Sequence, residues 1–143
     1  MKHVPPIYLF YLIILSILFN WLLPIYIFQS TTLGIILIIV GLVPAIWINM
    51  LFKKNNTSIR PHEKPTKLTL EGPFKLSRNP IYLGGAIILF GVALILGTLI
   101  SFFSPIVFIL IMNSKFVPIE ERNLEAAFGK EYIIFKKKVK RWL

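Results

Sequence analysis

The chain has 143 residues, 56% of them hydrophobic, a mean hydropathy of +0.75 and a net charge of +10. That is the length of one domain, with more apolar surface than a soluble core of this size uses. Cysteine and aspartate are absent and only His3 and His62 are histidines, which removes disulfides, thiolate or His/carboxylate metal centres, cysteine nucleophiles and a Ser-His-Asp triad.

The first apolar stretch covers 4–28. A bilayer span needs about 20 apolar residues, so this run is long enough. It is too long for the apolar part of a signal peptide, and no small-residue cleavage site follows it. Asn20 and Pro24 interrupt its outer end, where a kink is expected. An uncharged turn at 29–32 leads to a second span at 33–52.

A basic loop at 53–79 follows, in which Pro61, Pro65 and Pro73 exclude one long helix. Within it, 66–70 reads as a short strand or interfacial segment. His62 and Glu63 could form a proton-handling pair, but a solvated loop is the better reading of them. The third span is expected at 80–99 and the fourth at 101–114, short enough to continue as a helix into water.

No Lys, Arg, Asp or Glu lies between His3 and Phe52 or in 79–113. Four spans with both termini in the cytoplasm place every basic segment on one side, as the positive-inside rule requires. The expected fold is therefore an all-α integral membrane protein with four transmembrane helices. Its tail, 115–143, reads as an amphipathic helix at the membrane surface, with Leu124, Phe128, Tyr132 and Phe135 on one face and Trp142 at headgroup level. Lys136–Lys138, Lys140 and Arg141 suit anionic lipid headgroups better than nucleic acid.

Two stretches carry chemistry. In "SRNPIYLGG" (77–85), Asn79 and Pro80 are favoured at a helix start, whose free amides attract an anionic group. Tyr82 adds a ring and a hydroxyl. Gly84 and Gly85 permit close approach of a ligand or another helix. The second stretch is Glu120-Glu121, two of only six acids, placed where the last span leaves the membrane. Adjacent carboxylates point apart on a helix, so one of them at most faces a given pocket. Both stretches fall at the cytoplasmic ends of neighbouring spans. An amide-lined helix start opposite a carboxylate suits a zwitterionic amino acid moiety.

"GPFKLSRNPIYLG", followed about thirty-five residues later by "EERNLEAAFGKEYIIFKKKVKRWL", resembles the isoprenylcysteine carboxyl methyltransferase and phospholipid methyltransferase family. Asn79 stands where its eukaryotic members have histidine, and Phe135 where tyrosine is frequent. The resemblance implies an integral membrane enzyme using S-adenosylmethionine, with no metal, on a lipophilic small-molecule or lipid acceptor. It implies that Arg78, Asn79, Tyr82, Gly84, Glu120 and Glu121 bind the cofactor, and that Tyr132 and Arg141 belong to a tail closing over the site, with catalytic roles. A membrane reductase of the steroid-reductase type, using a nicotinamide cofactor, and a non-enzymatic four-span protein are the rival readings. The second is disfavoured as an exporter because the spans hold no acid.

Overall fold

The computed structural model describes residues 5–54 and 68–143. Six helices run in order: α1 Pro5–Leu22, α2 Thr31–Lys54, α3 Pro80–Leu96, α4 Phe103–Ile111, α5 Val117–Phe128 and α6 Lys130–Lys138. Short 3₁₀ turns at Gly72–Lys75 and Leu99–Phe102 precede α3 and α4, and a π turn at Met112–Phe116 joins α4 to α5. Three helical stretches are long and apolar enough to cross a membrane: α1, α2 and the continuous run Leu99–Phe128; α3 is a shorter apolar helix. His62, Glu63 and residues 66–67 of the expected 66–70 segment lie outside the described residues; 68–70 has no regular structure.

Hydropathy located the apolar helices but not their ends. The first helix stops at Leu22, six residues before the expected end at 28. Pro24 cannot continue the hydrogen-bond ladder, and the chain beyond it is put to another use. The Ile27 amide donates to the Gly97 carbonyl at 2.9 Å, the Ser30 amide to Leu94 at 2.9 Å and Gln29 Nε2 to Ile95 at 2.8 Å. Residues 27–30 thus satisfy carbonyls that α3 leaves open at its C-terminus. Gly97, at φ 72°, turns the chain out of α3 in a left-handed conformation suited to glycine.

The fourth span does not end at 114. Pro118 lacks an amide hydrogen and its ring crowds the carbonyl four residues earlier, and the π turn lies immediately before it. The helix continues through this widening to Phe128, which carries Glu120 and Glu121 on from the apolar run.

α3 is the central element. Tyr82, Ala86 and Leu89 form the core with Phe108, Met112 and Val117, and Tyr8, Leu9, Leu12 and Ile13 of α1 pack against it. On its other face α3 meets α2 through two glycine pairs, Gly41–Gly84 and Gly34–Gly91. A Cβ on Gly41 would stand 2.6 Å from the Gly84 carbonyl oxygen, and one on Gly34 would stand 2.6 Å from that of Gly91. Helices in lipid gain little from hiding apolar side chains, so close backbone packing takes over. The outward faces of α1 and α2, such as Phe10, Ile14, Ile39 and Ile46, remain exposed and apolar, as a hydrocarbon solvent allows.

Among the described residues the ion pairs gather at one end of the bundle, between the start of α3 and α5, α6 and the C-terminal segment. The α1 start belongs to that end, since the Tyr8 ring packs edge-on against Phe116 at 5.4 Å and Lys115 Nζ lies 6.0 Å from its centroid.

Candidate functional site

At the charged end, the turn before α3 is clamped to the C-terminal segment. Ser77 is fully buried; its hydroxyl donates to the Arg141 carbonyl at 3.1 Å and accepts from the Asn79 amide at 3.1 Å. The Arg78 amide donates to the Lys140 carbonyl at 3.0 Å. Asn79 was expected to cap α3, yet its side chain makes no capping bond: Nδ2 donates to the Arg141 carbonyl at 3.0 Å. The tail is therefore not simply laid along a surface. Trp142 follows Arg141 inward and packs against the Tyr82–Phe108–Met112 core instead of standing free at headgroup level.

Glu121 is the centre of the site. Its side chain is only 9% exposed, and three cations surround it. Arg141 grips both oxygens, Nε to Oε1 at 3.1 Å and Nη2 to Oε2 at 2.8 Å. Arg78 Nη1 lies 2.9 Å from Oε1 and Lys136 Nζ 3.9 Å from Oε2. The third arm of Arg141, Nη1, donates to Asn113 Oδ1 at 2.9 Å. Bidentate arginine contact is the strongest geometry available to a carboxylate, and a buried charge needs such partners. The contacts with Glu121 hold the Arg141 guanidinium above even its ordinary high value.

Arg78 is not fully used. Its Nε and Nη1 are buried without a hydrogen-bond partner, the Nη1 contact to Glu121 being an ion pair off hydrogen-bond alignment. Buried donors in that condition are unusual and invite a further acceptor. Tyr132, 2% exposed, closes the same space, with Phe135 stacked obliquely at 6.0 Å. Burial pushes its hydroxyl above the ordinary tyrosine value, and the Glu121 charge adds to that against the opposing pull of Arg78.

Glu120 points away from Glu121, as adjacent helical residues must, and accepts a hydrogen bond from the Tyr82 hydroxyl. The sequence-predicted residues thus divide. Arg78, Asn79, Glu121, Tyr132 and Arg141 come together, and Tyr82 with Glu120 forms an adjoining pair. Gly84 is elsewhere: its open side is filled by the Gly41 backbone of α2. Gly85 likewise serves packing, a Cβ there lying 3.0 Å from the Phe108 ring.

Three participants escaped sequence reasoning. Ser77 and Lys136 are a serine in a loop and one lysine of several, with no signal of their own. Asn113 had one: a polar side chain at the end of an apolar run, five residues before a helical proline. The π turn contains it, and such turns recur at functional sites. Among the described residues no group of three or more His, Asp or Glu could hold a metal. Two hollows have none of Arg78, Glu121, Tyr132 and Arg141 in their lining, one of about 330 Å³ beside α6 and one of about 220 Å³ on α2.

The sequence profile described as phospholipid methyltransferase matches residues 29–131, from the turn before α2 to the start of α6. The chain belongs to this family. An uncharacterized protein of Haemophilus influenzae is also similar, 41% identical over 63 residues, which is 44% of this chain and 100% of that one. The family match takes in Arg78, Asn79, Glu120 and Glu121 but stops before Tyr132 and Arg141. Membership makes this a membrane methyltransferase family protein and implies a methyl donor. It also favours methyl transfer over nicotinamide-dependent reduction and over a purely structural role.

Proposed function

We propose that this chain transfers a methyl group from S-adenosylmethionine to a lipophilic acceptor resident in the membrane, at the charged end of the bundle, with that end and both termini facing the cytoplasm. The observation that carries the reading is Arg78 beside Glu121: a buried guanidinium, ion-paired to a buried carboxylate yet with donors that lack a hydrogen-bond partner, at the start of an apolar helix. An amino acid moiety offers a carboxylate for the first and an ammonium for the second.

Arg78 and Asn79 would hold the cofactor's carboxylate and Glu121 its ammonium. Tyr82 and Tyr132 would supply aromatic surface for a cation, and Glu120 would keep the Tyr82 hydroxyl fixed. The cofactor brings a methyl already activated on a sulfonium. What this chain must add is alignment of the acceptor and exclusion of water. The Arg141 segment does the second by lying across the α3 start. Arg141 would release part of its hold on Glu121 when the ammonium arrives and turn its guanidinium toward the acceptor. Gly84, packed on α2, would contribute by keeping α3 close to α2 and its start in place. The family's lipid substrates support an acceptor that enters laterally from the bilayer.

Calorimetry on the purified, folded protein tests this. S-adenosylmethionine should bind, and Glu121→Ala should weaken it at least about tenfold, the loss of one charged hydrogen-bonding partner. Absence of binding by correctly folded wild type would overturn the assignment. A labelled-methyl assay against total membrane lipid, with mass analysis of the product, then identifies the acceptor.

A further inference from the structure

The hollow of about 330 Å³ lies outside the Glu121 site, on the far side of the clamp. Its lining is of two kinds. Leu70, Ile134, Phe135 and Val139 make an apolar floor, and Lys75, Lys138 and Glu131 carry the charged groups. Lys75 comes from the 3₁₀ turn before α3 and Lys138 from the last turn of α6, so two distant parts of the sequence bring lysine side chains to the lining of one groove. Both lysines are exposed, and among the described residues no ion pair holds either of them. Glu131 offsets one of the two charges, and the neighbouring Lys137 and Lys140 leave the surroundings strongly positive. Outside the groove, Leu76 is 72% exposed and Ile133 45%, apolar side chains at the same end as the lysines.

From this arrangement the geometry points to a binding site for one anionic phospholipid, separate from the methyl-transfer site. Its phosphate sits between Lys75 and Lys138, away from Glu131. The glycerol and upper acyl chain lie on Leu70, Ile134, Phe135 and Val139. Charge complementarity selects an anionic headgroup, and the apolar floor selects a molecule with a hydrocarbon body over a free anion. The groove is lined by both Lys75 and Val139, and the Ser77–Arg141 clamp joins those same two segments. A bound lipid therefore braces the clamp from outside. The inference does not depend on the proposed methyl transfer.

The test uses the full-length protein in detergent micelles, with phosphatidylglycerol retention read by native mass spectrometry. Wild type should keep phosphatidylglycerol in preference to phosphatidylcholine. The double variant Lys75→Ala/Lys138→Ala should retain it about thirtyfold less well, since each lysine near an anionic headgroup contributes about 1 kcal/mol. The double variant Lys130→Ala/Lys137→Ala, which removes two exposed lysines outside the groove, should stay within about twofold of wild type on the same scale. Equal loss in both double variants would show a diffuse charge effect and overturn the site. So would equal retention of phosphatidylcholine, or displacement of the lipid by excess inorganic phosphate. Because lipid retention is the readout, the result stands whether or not S-adenosylmethionine binds.

Discussion

The seam between α2 and α3 and the clamp between the α3 start and the C-terminal segment hold the same helix at its two aspects, by opposite means. The seam is held by what glycine lacks. Its contacts are backbone on backbone, and nothing in them can be exchanged for a ligand. The clamp is held by buried charges and carbonyls: Asn79, Glu121 and Arg141 are satisfied within it and Arg78 only in part, and each could be satisfied by a molecule carrying the same groups. Stability therefore resides in the seam, and the capacity to bind resides in the clamp.

The largest effect should come from filling the seam. In Gly41→Val the new side chain meets the Gly84 carbonyl oxygen at 2.6 Å and the Ile88 backbone nitrogen at 3.0 Å, and neither is a flexible end that can yield. Overpacking of this kind costs about 3 kcal/mol or more when the backbone must move. Thermal unfolding in detergent should show a sharply lowered midpoint, together with loss of every function of the clamp. Gly85→Ala is the control: its Cβ meets the Phe108 ring, which can shift, so its midpoint should fall much less. Equal effects at the two glycines would remove the distinction between a backbone seam and ordinary packing.

These two regions also differed in how far the sequence exposed them. The spans follow from hydropathy because length and composition decide bilayer crossing. The use of Gly84 does not follow, since one sequence shows that a helix face is open but not what fills it. Asn79 was misjudged for a related reason. Propensity makes it a cap, and only the arrival of the Arg141 carbonyl, 62 residues away in sequence, gives its amide a better partner. Glu121 could be singled out from the scarcity of acids. Its separation from Glu120 followed from helical geometry, but which partner each would take did not. The early end of α1 and the π turn both sit at prolines, where the sequence signals a break and leaves its form open.

A smaller effect should follow from loosening the clamp without touching the seam. Arg141→Ala removes the bidentate contact to Glu121 and the bond to Asn113, leaving Glu121 to Arg78 and Lys136. The Arg141 side chain is 33% exposed, so the cost is below that of a fully buried pair, about 2 kcal/mol. It should appear as local opening: faster hydrogen exchange at the Arg78 amide, which donates to Lys140, with the Gly97 amide at the opposite end unchanged. If both amides speed up together, the clamp and the rest of the bundle open as one unit and the two regions are not separable.

The smallest effect belongs to Lys136, which lies at the edge of the clamp. It pairs with Glu125 and stands 3.9 Å from Glu121, with about a third of each of the Lys136 and Glu125 side chains exposed, 31% and 39%. Water screens such a pair, and holding two long side chains together costs rotamer entropy, so Lys136→Met should lose about 0.5 kcal/mol. Its Nζ also lies over the Tyr132 ring, 6.0 Å from the centroid, a weak cation–π contact at a partly exposed site that methionine replaces with an apolar one. The difference between Lys136→Met and wild type should shrink as salt is raised, because the lost pair is solvent-accessible, whereas the effect of Arg141→Ala should persist. Salt sensitivity thus separates the charges that the clamp encloses from those that only border it. A salt-dependent Arg141→Ala would place Glu121 among the bordering charges and take from the clamp the buried character on which its binding role rests.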